Sequence, residues 1–303
     1  LLVLKGMLIG SVCDEKFQQN TRPQVIEDVS EHITKIRALF AEMKEVSVAV
    51  SGGIDSVTLA VLASQTPNIS IQMYHAVSPA VPSQATDRVK QLSRDYGWSL
   101  QILDAHEFAD EDYLSNPVNR CFYCKTNLYK AISAVSGGVI VSGANTDDLS
   151  DYRPGLDAAK NASVRHPYVE TLTNKSLVRS IAKQIGLGEL SELAASPCLS
   201  SRVETGIRID PELLPLINET ERLIAQSVFP EPETVRCRVR SAGVVIELDD
   251  RSMSRLTTQK RQTLKEKINT IFKYRGYKYP VNFEVYKLGS AFIHIKSTRA
   301  VES

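Results

Sequence analysis

The sequence predicts an α/β protein, a parallel sheet with helices on both faces, followed by a smaller α+β domain. Three observations carry that reading. Between residues 25 and 185, short β-branched runs alternate with amphipathic stretches, the pattern of successive β-α units. The run G-V-I-V-S at 138–142 is apolar, as a strand covered on both faces must be. After about residue 210 the pattern changes to a helix, a hairpin signal and a basic amphipathic helix.

The elements follow in chain order. Residues 1–24 read as a loose arm; its start, 1–9, has one Lys, a short apolar run and no clear cleavage site, a weak signal-peptide pattern. No run approaches the roughly 20 apolar residues of a membrane span, so the protein is read as cytoplasmic, with no membrane partner. From 25 to 43, Val25, Val29, Ile33, Ile36, Leu39, Phe40 and Met43 recur at helical spacing. Val46, Val48 and Val50 make a strand that runs into a glycine turn and a second helix. Residues 69–76 alternate as a strand, 83–96 form a helix closed by Gly97, and 99–103 form another strand. The segment 108–119 is acidic and irregular, 124–134 helical, and 138–142 a strand. A helix at 176–185 stops at Gly186 and Gly188; 191–206 is a loop dense in Ser, Cys and Arg. A helix at 211–229 precedes β-branched runs at 235–240 and 244–248, joined by Ser241-Ala242-Gly243. A basic helix at 254–274 and a strand at 281–286 complete the pattern, which divides into 25–208 and 209–303.

Composition bounds the function without naming it. The 303 residues suffice for two cores, and 43% hydrophobic with 23% charged content is ordinary for a soluble globular protein. A formal net charge of +1 argues neither for nor against a polyanionic partner. The five cysteines, Cys13, Cys121, Cys124, Cys198 and Cys237, are odd in number and include a C-x-x-C, so metal or cluster ligation is favoured over a disulfide framework.

Four stretches carry chemistry. In Ser51-Gly52-Gly53-Ile54-Asp55-Ser56 the glycines let backbone N–H groups approach a phosphate at a helix N-terminus, and Asp55 can hold magnesium on a polyphosphate. The Gly-Lys-Ser/Thr ending of a Walker loop is missing; a tight turn without ligand is the plainer alternative. Arg120-Cys121-Phe122-Tyr123-Cys124-Lys125 offers two thiolates able to share a metal or cluster, with Lys125 placed to meet an anion; two buried inert thiols are the alternative. The strand end 142–148 with Asp151-Tyr152-Arg153-Pro154-Gly155 sits at the carboxyl edge where open α/β sheets bind ligands. Gly143, Asp147 and Arg153 there suit magnesium, ribose or substrate, or a solvated turn. In Pro197-Cys198-Leu199-Ser200-Ser201-Arg202 the arginine would favour the thiolate of Cys198.

Together S-G-G-I-D-S, R-C-F-Y-C-K, S-G-A-N-T-D-D, D-Y-R-P-G, P-C-L-S-S-R and V-R-C-R-V-R, in this order over about residues 30–290, resemble the LarE family. These are PP-loop ATP pyrophosphatases that insert sulfur into a nickel-pincer nucleotide cofactor. The resemblance implies adenylation of a pyridinium carboxylate mononucleotide by ATP with Mg2+, then attack by sulfur to give a thiocarboxylate and AMP. Ser51, Gly52, Gly53, Asp55 and Ser56 would hold pyrophosphate and magnesium, Lys125 would sit beside the adenylated substrate, and Glu221 would lie near the phosphate site. Arg202, Arg236 and Arg238 would bind substrate phosphate or carboxylate, to which guanidinium forks are well suited. Arg255 stands where the family pattern leads one to expect an acidic residue. One branch of the family sacrifices a cysteine; the other holds a [4Fe–4S] cluster on three cysteines, leaving one iron open for sulfide from an external donor. Cys121, Cys124 and Cys198 match the second branch, in which the cluster is the cofactor; in the first, the C-x-x-C is missing and the cysteine falls at the position of Pro197. A ring-like homo-oligomer is also implied.

The alternatives are the same reaction with Cys198 as sacrificial donor, a tRNA-thiolating PP-loop enzyme, and a non-catalytic ATP or cluster sensor. The basic residues of 255–278, interleaved with Tyr274 and Tyr277, favour RNA; the near-neutral total and the strings at 151–155 and 197–202 do not.

Overall fold

The computed structural model describes residues 29–150, 153–194 and 197–287. The arm at 1–24, Cys13, the start of the D-Y-R-P-G string and the last residues of the C-terminal segment lie outside the described residues. The described chain runs α1 (Val29–Met43), β1 (Glu45–Ala49), α2 (Ile54–Ser64), β2 (Ser70–Ala76), α3 (Ser83–Tyr96) and β3 (Leu100–Leu103). A 3-10 turn (Glu107–Ala109), α4 (Glu111–Leu114), α5 (Arg120–Ser133) and β4 (Val139–Val141) follow. Next come a 3-10 turn (Thr146–Ser150), α6 (Pro154–Asn161), α7 (Pro167–Glu170), α8 (Lys175–Gln184) and two more 3-10 turns (Gly188–Glu192, Leu199–Arg202). The last elements are α9 (Leu213–Ser227), β5 (Val235–Arg240), β6 (Gly243–Leu248), α10 (Asp250–Ser254), α11 (Thr258–Tyr274) and β7 (Val281–Val285).

The α/β expectation holds. The four strands of the first sheet are all parallel in the order β3-β2-β1-β4, with Val48 of β1 opposite Met73 on one side and Val141 on the other. After β1 the chain adds β2 and β3 on one side and β4 on the other, so the order reverses between β1 and β4. The loops leaving those two strands diverge there and open a crevice at the carboxyl edge.

Helix α2 is apolar nearly all round and buries Ile54 and Val57–Ala63, because it is enclosed by the sheet, α1 and α8. Each fully buried Leu or Val here is worth about 1.5–3 kcal/mol of transfer free energy. A second core gathers β5, β6, β7, α9 and α11, and draws in Ala80, Tyr113, Leu114, Leu199 and Val203 from earlier in the chain. Its sheet is mixed: β5 and β6 form the expected antiparallel hairpin, while β7 lies parallel to β6.

Three local readings are corrected. Helix α5 starts at Arg120 and not at 124, so Cys121 as well as Cys124 lies within its first turns. The segment 108–119 contains α4, capped by the Asp110 carboxylate, which accepts from the Asp112 and Tyr113 amides. The basic helix expected at 254–274 starts later, at Thr258, where Thr257 caps α11, and a separate short helix, α10, capped by Asp249, precedes it.

Candidate functional site

At the β1 end of the crevice the chain turns through Ser51, Gly52 and Gly53 into α2. The Ser51 N–H donates to Ser56 Oγ (3.1 Å), which in turn donates to the Gly53 carbonyl (3.0 Å), so the turn closes on itself. Gly52 has φ +84°, and a Cβ there would stand 2.8 Å from the Ala85 carbonyl oxygen. Arg88 donates to the Gly52 carbonyl (2.8 Å). His75 braces the loop from below, with Nδ1 2.8 Å from the Val50 carbonyl and Nε2 2.9 Å from Thr86 Oγ1. The carbonyl can only accept, so Nδ1 carries a proton; burial lowers the pKa of the ring. No side chain caps α2 at Gly53, so its first N–H groups are left for an anion.

The β4 end meets this loop closely. A Cβ on Gly143 would lie 2.9 Å from the Asp55 carbonyl carbon and the Ser56 nitrogen, which explains glycine there. Asp55 pairs with Lys175 Nζ and accepts a long bond from Asn145 Nδ2 (3.5 Å). The fully buried Tyr168 donates its hydroxyl to the Asp55 carbonyl (3.1 Å). Asp147 accepts from the Lys175 N–H (3.2 Å), which ties the β4 loop to the start of α8. Ser142 Oγ and His166 Nδ1 lie 2.9 Å apart on the same edge, and burial lowers the pKa of His166.

From here a polar path leads to the cysteines. The Asn145 N–H donates to Asp148 (3.1 Å), and Asp148 pairs with Arg153 (3.1 Å). Arg153, with Arg120 and Lys125, offsets part of the rise that burial and Cys198 impose on the Cys121 thiol. Cys124 is pushed up to about 12, by burial first and then by Cys198. Cys198 is thus the leading electrostatic neighbour of both cysteines on α5, and all three are free thiols. Tyr129, whose ring centroid is 5.9 Å from the Lys125 ammonium, heads the influences that hold the Lys125 pKa up against burial. Among the described residues no three His, Cys, Asp or Glu side chains converge closely enough to hold a single metal ion.

The loop carrying Cys198 is held by an arginine. Arg202, only 2% exposed, grips Glu221 with two parallel bonds of 2.9 Å and donates to the carbonyls of Pro197 and Cys198. Glu221 also accepts from the Cys237 N–H (2.9 Å), so its charge is fully answered. Arg238 donates to Glu247 (2.9 Å) and to the Ser201 carbonyl (2.9 Å), and Arg240 joins it on Glu247 (2.6 Å). Arg236 lies over the Tyr286 ring, and burial, then repulsion from Arg202, lowers its pKa.

The fold therefore places Ser51, Gly52, Gly53, Asp55, Ser56, Gly143 and Asp147 together, and sets Cys198 as the leading electrostatic neighbour of Cys121 and Cys124 beside Lys125, with Arg153 paired to Asp148 on the β4 side. Arg202, Glu221, Arg236 and Arg238 stand behind the Cys198 loop. Residues not singled out in the sequence are Lys175, Tyr168, His166 and Glu107. Lys175 had a signal: a lysine opening a helix opposes the helix dipole and calls for an anionic partner. A cavity of about 510 Å3 between α5 and α6 shares no residue with the loop or the cysteines.

No protein-family model matches the chain. A Synechocystis relative, the uncharacterized protein slr1717, is 32% identical over 193 residues, 62% of this chain and 72% of its own length. The chain belongs to the slr1717 family. The uncharacterized protein MJ0830 of Methanocaldococcus jannaschii is 26% identical over 250 residues, 80% of this chain and 91% of its own. Pyridinium-3,5-bisthiocarboxylic acid mononucleotide synthase of Lactiplantibacillus plantarum is 27% identical over 225 residues, 72% of this chain and 80% of its own. That likeness supports the resemblance of this chain to LarE. No helix among the described residues is long and apolar enough to cross a membrane.

Proposed function

We propose that the protein is an ATP-dependent sulfur transferase of nickel-pincer cofactor synthesis, of the three-cysteine kind. It adenylates a pyridinium carboxylate mononucleotide, releases pyrophosphate and converts the acyl-adenylate to a thiocarboxylate. The supporting observation is the bonded chain from Asp55 through Asn145 and Asp148 to Arg153, which runs from the phosphate-type loop toward α5, the helix that bears Cys121 and Cys124. A name borne by a relative, pyridinium-3,5-bisthiocarboxylic acid mononucleotide synthase, agrees with that chemistry.

In this reading the N–H groups at Ser51–Ser56 bind the departing pyrophosphate, and Lys175 offsets its charge. Mg2+ is assigned to Asp55, a partly exposed carboxylate at the loop, in preference to Glu221, which stands behind the Cys198 loop on Arg202. Lys125 orients the activated carboxyl group beside the thiols. Arg236 meets the substrate phosphate, while Arg202 and Arg238 fix the loop that presents Cys198.

Cys121, Cys124 and Cys198 fit a [4Fe–4S] cluster on the chemistry of the donors. Without a metal, burial drives the Cys124 thiol away from thiolate, while Cys121 stands exposed beside it on α5; a cluster would bind them as thiolates and answer that charge. Such a cluster supplies sulfide to an electrophilic carbonyl carbon.

The reading is tested by incubating the protein with ATP, Mg2+ and the pyridinium carboxylate mononucleotide and measuring pyrophosphate. Release that depends on the mononucleotide is expected; its absence overturns the adenylation. Iron and sulfide analysis after anaerobic purification addresses the sulfur source. A colourless protein whose Cys198 loses the mass of one sulfur after turnover would replace the cluster with the sacrificial reading.

A further inference from the structure

Several arginines of the fold are spent on fixed partners. Arg202 and Arg238 pair with buried glutamates. Arg179 shows what a purely structural arginine does: it gives both terminal nitrogens to the carbonyls of Ser191 and Leu193. Arg88 on α3 differs. Its Nη1 donates to the Gly52 carbonyl (2.8 Å); among the described residues that is its one hydrogen bond, and no carboxylate pairs with it. Its remaining nitrogens reach solvent. The guanidinium is half-buried, and burial lowers its pKa with no acidic neighbour to raise it. A cation stripped of part of its water and given no anion is costly to hold unless a ligand supplies one.

The fold aims this cation at the phosphate loop. Ala85, Val89 and Leu92 make the buried stripe of α3, and Arg88 stands at the edge of that stripe, one turn after Ala85. The start of α3 is pressed on the loop: a Cβ on Gly52 would meet the Ala85 carbonyl oxygen at 2.8 Å. Thr86 Oγ1 lies 2.9 Å from His75 Nε2, and His75 holds the Val50 carbonyl. Because α3 follows β2, Arg88 reaches the loop from the β2 side, while Lys175 meets Asp55 from the start of α8. Gly52 and Asp55 bracket the start of α2, so one cation stands at each end of the turn that carries its open N–H groups.

We propose that Arg88 is a further residue of the adenylation site, which binds the pyrophosphate portion of ATP and stabilises it as it leaves. The inference rests on the adenylation reading above. When the substrate carboxylate oxygen bonds to the α-phosphorus, the bond from that phosphorus to the α–β bridging oxygen breaks. Its electron pair leaves with pyrophosphate, and no proton moves. The charge that gathers on the leaving group meets a guanidinium already fixed by the Gly52 carbonyl, with open N–H groups suited to phosphate oxygens. AMP lacks those two phosphates and offers Arg88 nothing to hold.

The test compares the wild-type chain with Arg88→Gln, whose amide can still donate to the Gly52 carbonyl but carries no charge. Magnesium pyrophosphate and AMP are the probes, in separate titrations. The variant is expected to bind pyrophosphate about 10–100-fold more weakly than wild type, with AMP affinity changed by less than about twofold. A structural brace predicts otherwise: either both ligands lose affinity together, or the amide preserves both, and each outcome overturns the proposal while leaving adenylation standing. Wild-type protein without affinity for pyrophosphate would sink the phosphate reading of the loop and the proposal with it. If the variant does not fold, labelling of wild-type Arg88 by phenylglyoxal, mapped by mass spectrometry, decides. Labelling slowed by pyrophosphate and untouched by AMP supports the contact, and equal rates with and without pyrophosphate refute it.

Discussion

The phosphate loop and the cysteine region are built on opposite electrostatic terms. At the loop the charged side chains Asp55 and Asp148 already have Lys175 and Arg153, and the serine hydroxyls bond within the turn, while the first N–H groups of α2 stay open. At the cysteines the reverse holds: Cys124 is pushed up by burial and by Cys198, and no carboxylate or histidine converges with the thiols among the described residues. The difference teaches that the two halves are prepared differently. The loop is organised before its ligand arrives and trades one partner for another. The cysteine region reaches electrostatic balance only with something added.

The largest effect is expected where the cysteine region is held from behind. Arg202→Met leaves Glu221 buried and uncompensated and should cost about 3–5 kcal/mol of stability, read by urea denaturation. A loss below about 1 kcal/mol would show that the Cys198 loop does not depend on the pair. Next comes the loop's own cation. Lys175→Met should slow pyrophosphate formation about 10²–10³-fold with iron content unchanged, because it removes charge where charge develops on the leaving group. If iron uptake fell in step, the two halves would not be separable as described.

A smaller effect is expected from Gly143→Ala. The added methyl meets the Asp55 and Ser56 backbone at 2.9 Å; the shift should cost about 1–3 kcal/mol and weaken ATP binding ahead of sulfur transfer. The smallest concerns pH. His75 and His166 both have pKa values lowered by burial, so the unfolded chain binds more protons than the folded one below the ordinary 6.5. Their contribution is full above 6.5 and is lost as pH falls through the folded values, by about 1.4 kcal/mol for each unit of depression. His75→Asn should flatten that acid limb of the stability curve; an unchanged slope would place the protonation elsewhere.

How much was legible depended on whether a signal is local. Ser51–Ser56 could be read because strand, glycines and helix start are contiguous, and the parallel sheet because apolar runs such as 138–142 report burial directly. Lys175 stands 120 positions from Asp55, and a lysine in T-N-K-S does not name its partner. Arg202 and Arg238 read as anion binders, since a sequence shows the guanidinium but not the Glu221 and Glu247 that the fold brings to them. Glu107 left no signal. It precedes a stretch that reads as acidic and irregular, and its burial shows only in the fold.

Asn116 carries a consequence of a different kind. Its amide nitrogen lies 2.9 Å from both the Glu204 and Ile207 carbonyls, and its oxygen accepts from Arg120 at the start of α5. It is fully buried in a left-handed turn with φ 54°. One uncharged side chain thus acts as a gauge block between the segment after Cys198 and the helix bearing Cys121 and Cys124. A search for reactive groups would pass over it. A single-atom change there, amide to carboxylate, would respace the sulfur atoms without touching any of them.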